Sequence, residues 1–227
     1  MRFLHVAVGA PAKELDTLGD FYESLGFELE PDRLVFAAGE TTMELDPAPG
    51  APFYHFAFLV PGDRFEAAHE WAAARTELLP DQESGQTVFD FDSWEAWGCY
   101  FLDPAGNIVE LAAHRGIDEN GKTGPFEAPE IVGLSELGLV GDPRAMAEQL
   151  ATVGLGLWNG TLDEPGRLAF IGERARTLIL SPAGRGWIPI GRPAEPHPIE
   201  AEIAAQREGE LSLEAGLYRI SCTPAML

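Results

Sequence analysis

The chain has 227 residues, 45% hydrophobic and 23% charged, a composition that supports a packed core rather than disorder. Its formal net charge of −22 argues against nucleic acid or anionic membrane surfaces as partners, because both require a positive footprint. No stretch approaches the roughly 18 apolar residues of a membrane helix, and Cys99 and Cys222 provide neither a disulfide framework nor a thiolate metal cage. The two thiols read as reduced, and the compartment as the cytoplasm.

In chain order, residues 2–9 alternate as a strand, with Phe3, His5 and Ala7 on one face and Leu4, Val6 and Val8 on the other. The apolar run is short and soon meets Lys13 and Glu14, which fits a strand and not a signal peptide. Leu15, Leu18, Tyr22 and Leu25 predict a helix over 12–25, ended by Gly26. Short strands follow at 27–30, 33–37 and 41–45, the last carrying Glu44, and Pro47, Pro49 and Pro52 mark a linker.

The pattern then restarts. APFYHFAFLV is a strand with Phe53, His55, Ala57 and Leu59 on one face. The helix after it has Asp63 and Glu66 spaced as a capping box. A loop over 80–98, rich in aromatics and acids (Phe89, Phe91, Trp94, Trp97), reads equally as a wall over a pocket or as plain core. It leads into CYFLDPAGNIVELAAH, a β-hairpin whose turn residues are Asp103-Pro104-Ala105-Gly106-Asn107. On the return strand Glu110 shares a face with Ile108, Ala112 and His114, a carboxylate in an apolar strand. Burying it unpartnered costs several kcal/mol, so something must bind it.

A third copy begins at LSELGLV. Asp142-Pro143 starts its helix as N-cap and N1, Gly154 ends it, and FIGERARTLILSPAG echoes FAAGETTMELDPAPG. PIEAEIAAQ and GLYRISC read as strands of a degraded fourth copy without a clear helix. The expected layout is α+β, with residues 1–116 as a two-module domain, 117–130 as a linker, and 131–227 as the third and fourth modules.

Each of the first two copies places one His near the middle of its first strand and one Glu near the middle of its last: His5 with Glu44, and His55 with Glu110. Two imidazoles and two carboxylates suit one divalent transition metal, Fe, Ni, Co or Zn. All four converge if the two copies pair their sheets around a common cleft. Ala7, Ala57 and Ala112 would leave room for a ligand beside three of them. His69 reads as a half-buried helix residue and His197 as loop; His114, about 13 Å along the strand from Glu110 at about 3.3 Å per residue, reads as rim rather than ligand. Tyr100 is either ordinary packing or a hydrogen-bonding group for a bound substrate.

Strands LHVAV and YHFAF, and above all YFLDPAGNIVEL, resemble the metal-bearing strands of the vicinal oxygen chelate superfamily, which includes glyoxalase I, extradiol dioxygenases and bleomycin or fosfomycin resistance proteins. The resemblance implies repeated βαβββ modules that form curved mixed sheets around a cleft. It implies His5, His55 and Glu110 as metal ligands, and Glu44 either as the extra carboxylate ligand and proton carrier of glyoxalase I or as an outer residue. Glu136 stands where the third copy would have its His, and Ile179 where it would have its Glu, so the C-terminal half is expected to hold no equivalent site. Three functions follow from the resemblance: a metal-dependent lyase or isomerase acting on a small substrate with adjacent oxygens, with Glu44 and Tyr100 as catalytic groups; an extradiol ring-cleaving dioxygenase with Fe(II); or a non-catalytic, resistance-type binding protein. The expected partner is a small molecule, and the protein a monomer or homodimer.

Overall fold

The computed structural model describes residues 1–164 and 166–225. It is α+β, with two large mixed sheets, one two-stranded ribbon (Gly186–Trp187 with Arg192–Pro193) and few helices. The local signals act where the sequence places them. Helix Leu15–Ser24 buries Leu18 and Tyr22, and the chain turns at Gly26, whose φ of 95° favours glycine. Helix Pro143–Leu150 is capped by the Asp142 carboxylate, which accepts from Arg144 N at 3.0 Å and Ala145 N at 3.2 Å. The hairpin turn is closed by Asp103, whose Oδ1 accepts from the backbone N–H of Ala105 and Asn107 at 3.0 and 2.9 Å. Tyr22 Oη donates to the other Asp103 oxygen at 2.9 Å, tying the first helix to this turn.

Three local expectations are corrected. Asp63 does not cap its helix: helix Phe65–Ala73 follows Arg64 without a side-chain cap, and Asp63 accepts instead from Asn120 N at 3.2 Å and Gly121 N at 2.8 Å. Residues 27–30 form no strand of their own, only a bridge between Leu29 and Phe36. In strand Arg2–Pro11 the register slips between Phe3 and His5, so Phe3 joins Val6 and Val8 in the core while His5 and Ala7 lie on the opposite face.

The sheets pair the repeats differently from the expected order. The six-stranded sheet runs Gly209–Leu213, Tyr218–Pro224, Ile199–Ala205, Arg2–Pro11, Thr41–Ala48, Val35–Ala38, joining the first repeat to the fourth. In the larger sheet, Arg176–Ser181, Gly133–Val140, His55–Val60, Ile108–His114 and Ala96–Leu102 are successive neighbours, joining the second repeat to the third. The linker enforces this pairing. Arg64, 5% exposed, donates to Glu130 from Nε at 3.0 Å and to the carbonyls of Lys122, Gly124 and Pro125. The chain beyond it is thereby laid along the edge of the second repeat, where Val132 N donates to Leu59 O at 2.8 Å.

The two sheets share one core, in which Phe3, Val6 and Val8 of one sheet join Phe56, Phe58 and Val60 of the other. Thr41 stitches them, donating to Phe3 O and accepting from Leu134 N. Because alternate residues of a strand face opposite ways, His5 and His55 point away from this shared core on opposite sides. They cannot meet at one metal.

Candidate metal centre

His5 and Glu44 stay together on the six-stranded sheet. His5 Nε2 lies 3.0 Å from Glu44 Oε2, and Arg33 pairs with the other carboxylate oxygen. Glu44 is thus paired with the Arg33 guanidinium, and no third ligand joins His5 and Glu44 among the described residues.

His55 and Glu110 meet on the other sheet, and the residue that joins them is Glu136. Ala57 pairs with Glu110 on one side and with Glu136 on the other, so the two carboxylates flank one small side chain. His55 lies two residues earlier on the same face. His55 Nε2 is 3.7 Å from Glu110 Oε2 and 3.9 Å from Glu136 Oε2, and one donor atom from each of the three lies within 4.8 Å of the others. All three side chains are buried.

The surroundings fit a cation. His55 Nδ1 faces Ile108 O at 3.1 Å; a neutral ring donating there leaves the Nε2 lone pair aimed at the carboxylates, the tautomer a metal requires. Gly98 makes room for Glu110, because a Cβ at that position would stand 2.3 Å from Glu110 Oε1. Burial, and next the facing Glu136, push the Glu110 carboxyl well above the usual carboxylate range. Two buried acids facing each other are costly when both are ionised, and a divalent cation between them removes that cost. One nitrogen and two carboxylate oxygens suit a hard or borderline divalent metal.

The donors sit at the base of a cavity of about 70 Å³ walled by Phe91, Trp94, Trp97, Phe170, Trp187 and Ile188. The Trp187 ring lies 5.0 Å from that of His55. Tyr100, cross-strand partner of Glu110, lines the cavity, and its hydroxyl is held protonated by burial and then by the charge of Glu110. His114 also lines it, with Nδ1 buried and unpartnered. The wall residues of the 80–98 loop therefore face the cavity. Ile179 lines it too and adds no donor. His69 bonds Thr87 Oγ1 at 2.9 Å, and His197 packs against Phe53 and Tyr54, both apart from the cluster. Burial raises the Cys99 thiol to about 12, leaving it an inert core residue.

The repeat pattern alone gives Glu136 no ligand role, because the third repeat departs there from the His of the first two. Its signal was its position, the same place in the third repeat that His5 and His55 hold in theirs, and its presence as an acid in the apolar strand LSELGLV.

No protein-family model matches the chain. No curated protein matches it either. Solved structures do. A candidate dioxygenase from Bacillus subtilis subsp. subtilis str. 168 superposes with a TM-score of 0.58 at 16% identity, covering 99% of this chain and 86% of that one. Glyoxalase I from Zea mays superposes at 0.52 and 16% identity, over 88% of this chain and 74% of that one. A point mutant of the same maize enzyme gives 0.54 at 13% identity, over 97% and 92%. The chain has the fold of these glyoxalase and dioxygenase-type structures, here with its first repeat joined to its fourth and its second to its third.

Proposed function

We propose that this chain is an enzyme that holds one divalent transition metal on His55, Glu110 and Glu136 and acts on a small substrate with two adjacent oxygens. The observation that carries this reading is the convergence of those three side chains in an aromatic-lined cavity, in a chain with this fold. When bound, the metal would supply Lewis-acid stabilisation of an enediolate or similar anion. The chain's own residues would do the rest. Glu136 replaces Glu44 as the proton carrier, because its carboxylate faces the site from the opposite strand, whereas Glu44 is engaged with Arg33 and His5 on the other sheet. Tyr100 Oη, kept protonated, would donate a hydrogen bond to a substrate oxygen. The rings of Phe91, Trp94 and Trp187 would exclude water. The reaction class is lyase or isomerase.

Extradiol ring cleavage with Fe(II) is the second reading. It is favoured by Ile179, which leaves the fourth corner of the donor set free of any carboxylate, and by the likeness to a candidate dioxygenase.

Elemental mass spectrometry of the purified protein tests the metal. We expect about one equivalent in wild type and in His5→Ala, and loss in His55→Ala and Glu136→Gln. If wild type lacks metal and cannot be loaded with Fe(II), Ni(II), Co(II) or Zn(II), both enzyme readings fall and a metal-free binding protein takes their place. Oxygen uptake with catechol by an anaerobically iron-loaded sample separates the two reaction classes.

A further inference from the structure

We propose that His114 forms a second binding position in this cavity, holding the hydroxyl group of a small uncharged ligand whose other end lies at the three metal donors. The metal end of that ligand rests on the function proposed above; the hydroxyl position does not.

Glu110, Ala112 and His114 share one face of their strand, and all three line the cavity. On the neighbouring strand Gly98 pairs with Ala112, and Ala96 with His114. Glycine and alanine at these positions keep the floor low between the metal donors and the imidazole, so both ends open on one space. Of the four buried side-chain atoms without a hydrogen-bond partner among the described residues, only His114 Nδ1 belongs to a residue that lines this cavity. His114 is 2% exposed, and a buried polar atom left unpaired costs about 1–3 kcal/mol. Native proteins seldom carry that cost without a water or a ligand to meet it.

Charge and size narrow the ligand. Burial pushes the His114 ring below the usual histidine range, while Glu136 acts on it with one sign of charge and Arg174 and Arg176 with the other. Neither sign is favoured at this end of the cavity, and a neutral imidazole offers one donor and one acceptor nitrogen. A hydroxyl serves whichever nitrogen it meets, because it both donates and accepts. The cavity of about 70 Å³ holds a few waters, since about 10–15 Å³ admits one, and this confines the ligand to about two or three carbons.

The test compares glycolamide with propionamide, which share an amide and a size and differ only in a terminal hydroxyl against a methyl group. Binding is followed by NMR titration of the ring nitrogens in protein carrying isotope-labelled histidine, and by tryptophan fluorescence. Both zinc-loaded protein and protein dialysed free of metal and chelator are used. In each form wild type should bind glycolamide about threefold to tenfold more tightly, the worth of one neutral hydrogen bond, and the His114 nitrogen signals should move with glycolamide. His114→Phe keeps a ring without its nitrogens and should abolish the preference while leaving propionamide affinity and zinc content unchanged. His114→Gln should retain part of the preference. Equal affinities in wild type, binding of neither compound, a preference that survives in His114→Phe, or His114 nitrogens unmoved by glycolamide would each overturn the proposal. A preference lost in His114→Phe, in protein that never binds zinc, would sustain it while the metal reading fails. Zinc binding with equal affinities for the two amides would do the reverse.

Discussion

Replacing Gly98 by Ala tests the metal centre through a residue that is not itself a ligand. A Cβ at Gly98 would lie 2.3 Å from Glu110 Oε1, 3.3 Å from its Cδ and 3.2 Å from Phe91 Cε2. Carbon and oxygen in ordinary contact stand about 3.5 Å apart, so the carboxylate must retreat by about 1 Å while Phe91 limits the space on the other side. Metal–ligand distances tolerate only about 0.2 Å. Gly98→Ala should therefore cost about one ligand, with zinc affinity falling by about 10- to 100-fold or more, the range seen when supporting groups around a metal are disturbed. The fold should lose about 1–3 kcal/mol, as for overpacking.

Zinc affinity by competition with a chromophoric chelator, alongside thermal melting, reads both effects. Gly156→Ala, with nothing within 4 Å of the added carbon, is the control. The double variant Gly98→Ala/Glu110→Gln separates causes. If Gly98 acts through the carboxylate, the double variant binds zinc no worse than Glu110→Gln alone. A folded Gly98→Ala protein with wild-type zinc affinity would refute Glu110 as a ligand.

Other expectations follow from buried groups. Glu110 has a folded pKa raised above its unfolded value, so its contribution to stability is full below about pH 4.3 and is lost as pH rises through the folded pKa. The melting temperature of metal-free wild type, measured from pH 4 upward, should thus fall relative to that of Glu110→Gln; parallel curves would contradict the assignment. Arg64→Met leaves Glu130 buried without its partner and frees three linker carbonyls, which should cost about 3–5 kcal/mol in urea unfolding. Tyr22→Phe strips one hydrogen bond from buried Asp103 and should cost about 1–3 kcal/mol by the same assay.

The parts of the fold that depend on near neighbours were legible in the sequence. The Asp103 turn, the Asp142 cap and the stop at Gly26 each need only residues within a few positions, and the repeated pattern marked where each strand–helix–strands unit begins. Asp63 failed as a cap because its competitors, the N–H groups of Asn120 and Gly121, lie more than fifty residues away. The face of Phe3 was misassigned because a register slip beside His5 carries no sequence mark.

Which repeats pair is also a non-local question, and it decided the site. Strict alternation puts a His and a Glu on one face of each repeat, but it is silent about which other repeat completes the set. The burial of Arg64 with Glu130 supplies the answer, by laying the third repeat beside the second. The need to neutralise a carboxylate in an apolar strand, decisive for Glu110, applies equally to Glu136, and it does not apply to Glu44, which has Arg33 and His5. For the proposed metal centre, acids that lack a cation of their own are therefore the stronger pointer, ahead of histidine positions. By that criterion Glu110 and Glu136 belong together, and His5 is free to be replaced.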